Sequence, residues 1–173
     1  MALHALLEAA SGDDALFRSA VIVSAHPGLE SEEDRVMRMA SDAEWAGRAL
    51  VGEWGDFLEA WEGRMQTAPL GLQEEADWGD RCLLQPRRQA VARSFMDWSL
   101  GKQAALRGDL SGITCPVLWV TGERDEKFTQ LAGEAVEMLA SAELQVIAES
   151  GHRVPWERKE KFLAAVDGFL KSS

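Results

Sequence analysis

Asp125 and His152 are the residues of this chain best suited to moving a proton. Asp125 stands in VLWVTGERDEKF, where an apolar run gives way to a turn. His152 stands in LQVIAESGHRVPWE, where a second apolar run does the same. A carboxylate can accept a hydrogen bond from one imidazole nitrogen, fix the tautomer and stabilise the imidazolium. The other nitrogen is then free to take a proton from a hydroxyl. Where acid and histidine follow two strands in this order, the hydroxyl belongs to a serine earlier in the chain, on a G-x-S-x-G turn. No G-x-S-x-G occurs in the 173 residues.

Each residue also has a plainer reading. Asp125 alone would serve as the cap of a helix starting near Lys127. His152 alone would be an ordinary loop histidine. The pair in the right order, each after its own strand, favours the paired reading. Ser24, in VSAHPG, lacks the flanking glycines of a nucleophile turn, and Ser111 and Ser150 stand beside the wrong elements. His26 reads as a structural residue of a turn, and His4, within the first helix, suggests no chemistry.

Arginines are concentrated between these regions: Arg35, Arg38, Arg48, Arg64, Arg81, Arg87, Arg88 and Arg93. Arg35 and Arg38 are three apart and share a helix face. One reading is a solvated face paired with Glu32 and Glu33. The other is a carboxylate site, because the guanidinium fork matches two carboxylate oxygens.

The elements that must position these residues can be read in order. Residues 2–10, ALHALLEAA, form a helix with no capping residue ahead of Ala2, which predicts that polypeptide once preceded it. Residues 19–25, SAVIVSA, form a short apolar strand of the kind buried on both faces of a parallel sheet. A helical block follows. It opens at Ser31, three residues before Asp34, with acids in its first turn. Helical periodicity continues to Met65 with a break near Ser41–Asp42, a turn falls at Pro69 and Gly71, and a further helix runs from about Arg87 to Leu106.

Strand and helix then alternate: strand 117–122, helix 127–140, strand 144–149 and helix 157–170. Alternation of this kind implies parallel β-α-β units. The expected architecture is α/β, with residues 1–26 and 109–173 as a partial core of three parallel strands and residues 27–108 as a helical lid. Three short strands make a poor isolated sheet, so further strands are expected to be missing.

Composition narrows the function classes. Hydrophobic residues at 46% and charged residues at 27% suit one soluble globular domain. A net charge of -11 argues against nucleic acid, which needs a concentrated basic surface. It leaves room for an anionic small molecule held by a few arginines. No apolar run approaches the roughly 20 residues that cross a bilayer, so no membrane partner is expected. The start, MALHALLEAASGDD, is not a signal peptide, and a cytoplasmic location is expected. Cys82 and Cys115 are isolated, which suggests neither a metal site nor a redox pair. Trp45, Trp54, Trp61 and Trp98 fall among aliphatic residues of helical stretches and read as packing groups.

Taken together, these pieces resemble a known family. HPGLESEEDRVMRMASDAEWAGRAL (26–50), FLEAWEGRM (57–65), SLGKQ (99–103), TGERDEKFTQLA (121–132) and SGHRVPWE (150–157) are similar to segments of 2-succinyl-6-hydroxy-2,4-cyclohexadiene-1-carboxylate synthase. That family comprises lyases of menaquinone and phylloquinone biosynthesis with the α/β-hydrolase fold, and the resemblance is to its C-terminal two-thirds. HPGL followed by E-E-x-R-x-x-R, with GERDxKF, carries most of the specificity.

The resemblance implies that Asp125 and His152 are two members of a Ser-His-Asp triad. It implies that Arg38, and with it Arg35, lies at the family's carboxylate-binding position, and that Trp61 matches its lid tryptophan. One more substrate arginine is expected among Arg81, Arg87 and Arg88. The implied reaction is elimination of pyruvate from a polycarboxylated substrate, with a histidine-activated serine as base and no cofactor. The serine, the arginine after it and the oxyanion-hole loop are absent from these residues, so the 173-residue chain alone is expected to be inactive and marginally folded. Two other readings stand beside this one: an esterase or C–C bond hydrolase of the same fold, and a non-catalytic remnant that binds a ligand or a complementary N-terminal chain.

Overall fold

The computed structural model describes residues 2–11, 16–64 and 83–172, with residues 62 and 64 as backbone only. The expected turn at Pro69 and Gly71, Arg81 and Cys82 lie outside the described residues, as does the Arg64 side chain. The chain divides into two compact units, Met1–Pro27 with Leu106–Ser173, and Gly28–Ala105.

The first unit is built on a parallel sheet of β1 (Ala20–Val23), β2 (Val117–Gly122) and β3 (Ala142–Ile147), in that spatial order. Ala20 is in register with Val117, and Gly122 with Ile147. β2 is buried along its whole length, which is why it reads as an unbroken apolar run. Its side chains alternate between two cores, as the period of a strand requires. Val117 and Trp119 pack with Ile22 and with Leu3 and Leu6 of α1 (Ala2–Ala10). The same core takes Ala132 and Ala135 of α5 (Glu126–Val136). Leu118 and Val120 face the other way, onto Ile147, Val154 and Phe169 of α7 (Lys159–Ser172). Each fully buried aliphatic side chain here contributes about 1.5–3 kcal/mol.

The second unit is helical. α2 (Glu32–Val51) begins at Ser31, whose hydroxyl oxygen accepts from Asp34 N–H at 3.2 Å. The expected break at Ser41–Asp42 does not occur. Asp42 accepts from Arg38 one turn earlier instead of turning to the backbone, so a residue type that often interrupts helices becomes a side-chain tie within one. The helix ends at Gly52, and α3 (Trp54–Arg64) follows. α4 (Arg88–Asp97) replaces the longer helix expected to reach Leu106, and a short 3-10 turn at Leu100–Lys102 follows it.

This unit closes around Ala46, Ala49, Trp54, Phe57, Leu58 and Ala92. Trp61 packs edge-on against Trp45 at 5.1 Å and Phe95 at 4.9 Å, so three of the four tryptophans read as packing groups do pack. Trp98 is exposed.

Candidate active site

The two candidate proton-transfer residues lie just beyond the carboxyl ends of β2 and β3. β2 ends in a tight turn in which Asp125 N–H donates to Gly122 O at 2.9 Å. Asp125 occupies the cap position of α5, yet its side chain makes no bond to the helix. Its Oδ2 is instead 2.7 Å from His152 Nδ1. An ionised carboxylate can only accept, so Nδ1 carries the proton and Nε2 is left as the acceptor. The imidazole is 29% exposed and the carboxylate 13%, so a reactant can reach the ring while the acid stays covered.

Main-chain bonds hold the two turns together. Arg124 N–H donates to Ser150 O at 2.8 Å, and Glu123 N–H donates to Ile147 O at 3.0 Å. Glu149 N–H donates to the Glu123 carboxylate at 2.9 Å, and Glu149 itself has a left-handed backbone with φ 61. The approach is so close that a Cβ at Gly122 would overlap the carbonyl oxygens of Ser150 and Gly151. Glycine is required there by space, not by dihedral. The strand read as 144–149 therefore stops at Ile147, where the chain leaves the ladder to make this turn.

Several residues that sequence reasoning left without a role at this site support it. Phe128, on the first turn of α5, packs edge-on against the His152 ring at 4.5 Å and against His26 at 6.2 Å. Thr129 anchors the same helix, its hydroxyl 3.0 Å from Thr121 Oγ1 and 3.1 Å from Gly122 O. Ser24 has a left-handed backbone, φ 42, and its hydroxyl donates to His152 O at 3.0 Å. Glu157 is buried and accepts from the amides on either side of His152, Gly151 at 2.6 Å and Arg153 at 3.0 Å. The GERDEKF motif held a signal for Phe128, whereas nothing in the spacing marks Ser24 or Glu157.

The candidate substrate arginines fall in the second unit. Arg35 Nε donates to Gly101 O at 3.1 Å and lies 3.8 Å from Glu32. Arg38 Nε donates to both oxygens of the buried Asp42 carboxylate, at 2.9 and 2.8 Å. Arg88 donates to Ala49 O at 3.0 Å and Gly52 O at 2.6 Å, and lies 5.7 Å over the Trp54 ring. It thus satisfies the free carbonyls at the end of α2. Arg87 is exposed in the short 3-10 turn before α4. Trp61 belongs to the aromatic cluster of α2, α3 and α4.

No family model matches the chain. Among curated proteins it is 29% identical over 152 residues to 2-succinyl-6-hydroxy-2,4-cyclohexadiene-1-carboxylate synthase of Escherichia coli, covering 87% of this chain and 58% of that protein. The chain thus spans a little over half the length of that relative. Among solved structures, MenH from S. aureus superimposes with a TM-score of 0.82 at 24% identity, over 98% of this chain and 65% of that one. An α/β-hydrolase enzyme from a Medee basin deep-sea metagenome library matches with a TM-score of 0.71 at 22% identity, over 99% and 62%. The chain is therefore built on the α/β-hydrolase fold, and over most of its own length its sequence is similar to the 2-succinyl-6-hydroxy-2,4-cyclohexadiene-1-carboxylate synthases.

Proposed function

We propose that this chain carries the acid and histidine of a lyase that eliminates pyruvate from a polycarboxylated cyclohexene to form 2-succinyl-6-hydroxy-2,4-cyclohexadiene-1-carboxylate. The observation that supports it most is the 2.7 Å bond between Asp125 Oδ2 and His152 Nδ1 at the ends of adjacent parallel strands. Similarity to the Escherichia coli synthase supplies the reaction class.

In this reading Asp125 holds the tautomer, and His152 Nε2 takes the proton of a serine hydroxyl. That serine must come from polypeptide other than these 173 residues, which contain no G-x-S-x-G turn. The serine oxygen removes a substrate proton, and the resulting carbanion breaks the adjacent C–O bond and expels pyruvate as its enolate. His152 gives its proton to that enolate to complete pyruvate. Positioned proton transfer of this sort is worth roughly 10²–10⁴ in rate. Arg38 and Arg35 are the carboxylate-binding candidates of the helical unit, through guanidinium nitrogens other than the Nε atoms already engaged with Asp42 and Gly101. Between Arg87 and Arg88, Arg87 is the stronger candidate for the further substrate arginine, because Arg88 is engaged at the end of α2, and Arg81 stands beside it as a candidate.

A chimera tests this directly: the chain replaces the matching segment of the Escherichia coli synthase, and pyruvate release from the authentic substrate is measured. Release that disappears in Asp125→Ala and His152→Ala supports the proposal. A folded chimera that cleaves simple esters but releases no pyruvate would overturn it in favour of a hydrolase. Pyruvate release by the 173-residue chain alone, above its own Asp125→Ala control, would overturn the requirement for an external serine.

A further inference from the structure

His152 stands in a turn with little regular structure of its own, and something must hold its ring at hydrogen-bonding distance from Asp125. The short helix α6 (Val154–Glu157) begins two residues later. Its backbone is tied by Trp156 N–H to Arg153 O at 2.9 Å and Glu157 N–H to Arg153 O at 3.0 Å. From the last residue of this turn the Glu157 side chain points back along the chain. Oε2 accepts from Gly151 N–H at 2.6 Å and Oε1 from Arg153 N–H at 3.0 Å.

The two oxygens of one buried carboxylate thus bracket His152 on both of its peptide neighbours. Hydrogen bonds to an ionised acceptor are about twice as strong as neutral ones. Two of them from one planar group fix a direction as well as a position. The third support comes from the residue after β1, where Ser24 Oγ donates to the His152 carbonyl. Ser24 keeps a left-handed backbone to do so, a conformation that is uncommon for a residue other than glycine. Gly151 N–H, Arg153 N–H and His152 O are therefore all committed, and the turn has little freedom to rotate the ring away from Asp125.

We propose that Glu157 is the positioning residue of His152: its carboxylate clamps the two amides flanking the histidine and so sets the imidazole against Asp125. The inference rests on the reading of His152 as the proton acceptor. It does not require Glu157 to touch substrate.

The test reads the ring itself, not activity. The chain has three histidines, and ¹⁵N labelling of them with a His152→Asn spectrum for assignment isolates the His152 signals. In the parent, Nδ1 should show the shift of a single protonated, hydrogen-bonded nitrogen and Nε2 that of an acceptor. Glu157→Gln is isosteric but turns an NH₂ toward one of the two amides, replacing one bond by two opposed donors. The expected result is a backbone spectrum like the parent's outside 149–157, with the two ring nitrogens moving toward a common averaged shift. Ring signals that coincide with the parent's, in a variant whose Gly151 and Arg153 amides have moved, would overturn the proposal and leave Glu157 a purely local brace. Should Glu157→Gln not fold, Glu157→Asp takes its place. It keeps the charge but draws the carboxylate back by one methylene, and the same two outcomes apply. A chimera that releases no pyruvate would refute the lyase reading and leave this ring signature in place, so the two failures are distinguishable.

Discussion

Arg124 and Ser150 share a main-chain hydrogen bond of 2.8 Å, which joins the acid-bearing turn to the histidine-bearing turn one residue from Asp125 and two from His152. The Asp125–His152 pair is therefore held through the backbone and not through its own side-chain contact alone. Variants that separate the turns should damage the pair even when both residues are intact.

Gly122→Ala is the direct test of that closeness. The added methyl would overlap two carbonyl oxygens of the histidine turn, and neither is the mobile end of a side chain. Overpacking of this kind costs about 1–3 kcal/mol. The denaturation midpoint of the chain should fall accordingly, and an unchanged midpoint would show that the turns part easily.

Asp125→Asn should act on chemistry more than on fold. If the amide NH₂ faces Nδ1, the neutral ring is stabilised with its proton on Nε2, the wrong nitrogen for accepting one. In the chimera described above, pyruvate release should drop by roughly 10³–10⁴ with little change in thermal midpoint. Loss of less than tenfold would mean that the carboxylate does not govern the tautomer.

Arg38→Ala confounds binding with folding, because it strips the partner from a carboxylate that is only 2% exposed. An unpaired buried charge costs more than the pair contributes, and a destabilisation of about 2 kcal/mol is expected. Adding Asp42→Ala to the same protein should recover much of it. Any loss of substrate affinity that survives in the double variant belongs to the guanidinium, and full recovery of KM would remove Arg38 from the binding site.

Acid should weaken the first unit through Glu134. The Arg107 guanidinium, hydrogen-bonded at 2.6 Å, and then Gln130 at 3.0 Å hold this carboxyl below its ordinary value of 4.5. A group whose value is lowered by folding stabilises the fold above its unfolded value and loses that contribution as the pH falls through the folded one. Glu149 is lowered in the same direction by its hydrogen bond to Lys161. Stability measured from pH 6 down to pH 3, on the order of the range where carboxylates titrate, should fall less steeply in Glu134→Gln than in the parent. Identical slopes would rule out the Arg107 pair as a source.

Much of the scaffold was legible because β1 and β2 are nearly unmixed apolar runs. β2 lies where VLWVTG predicts it, and a fully buried parallel strand has no polar face to blur the signal. Ser41–Asp42 misled for the opposite reason: propensity favours leaving the helix, and a partner four residues away keeps the chain in it. The acid and histidine were visible from their places after strands. Their supports were not. Glu157 is five residues past His152 and reaches it only because α6 folds it back, and Ser24 reaches it from 128 positions away. Spacing along a chain cannot report such bonds, because they depend on how turns from different strands face one another.

The register of β2 against β3 is also a ruler. Gly122 and Ile147 are the last paired positions, and both candidate residues are reached a few bonds beyond them. One residue inserted into β3 would push His152 along the strand by about 3.3 Å, more than the whole donor–acceptor distance it must keep. The sheet thereby limits which insertions this chain can tolerate. Length can change in the helical unit or beyond α6, whereas between Val117 and His152 the count of residues in each strand is part of the chemistry.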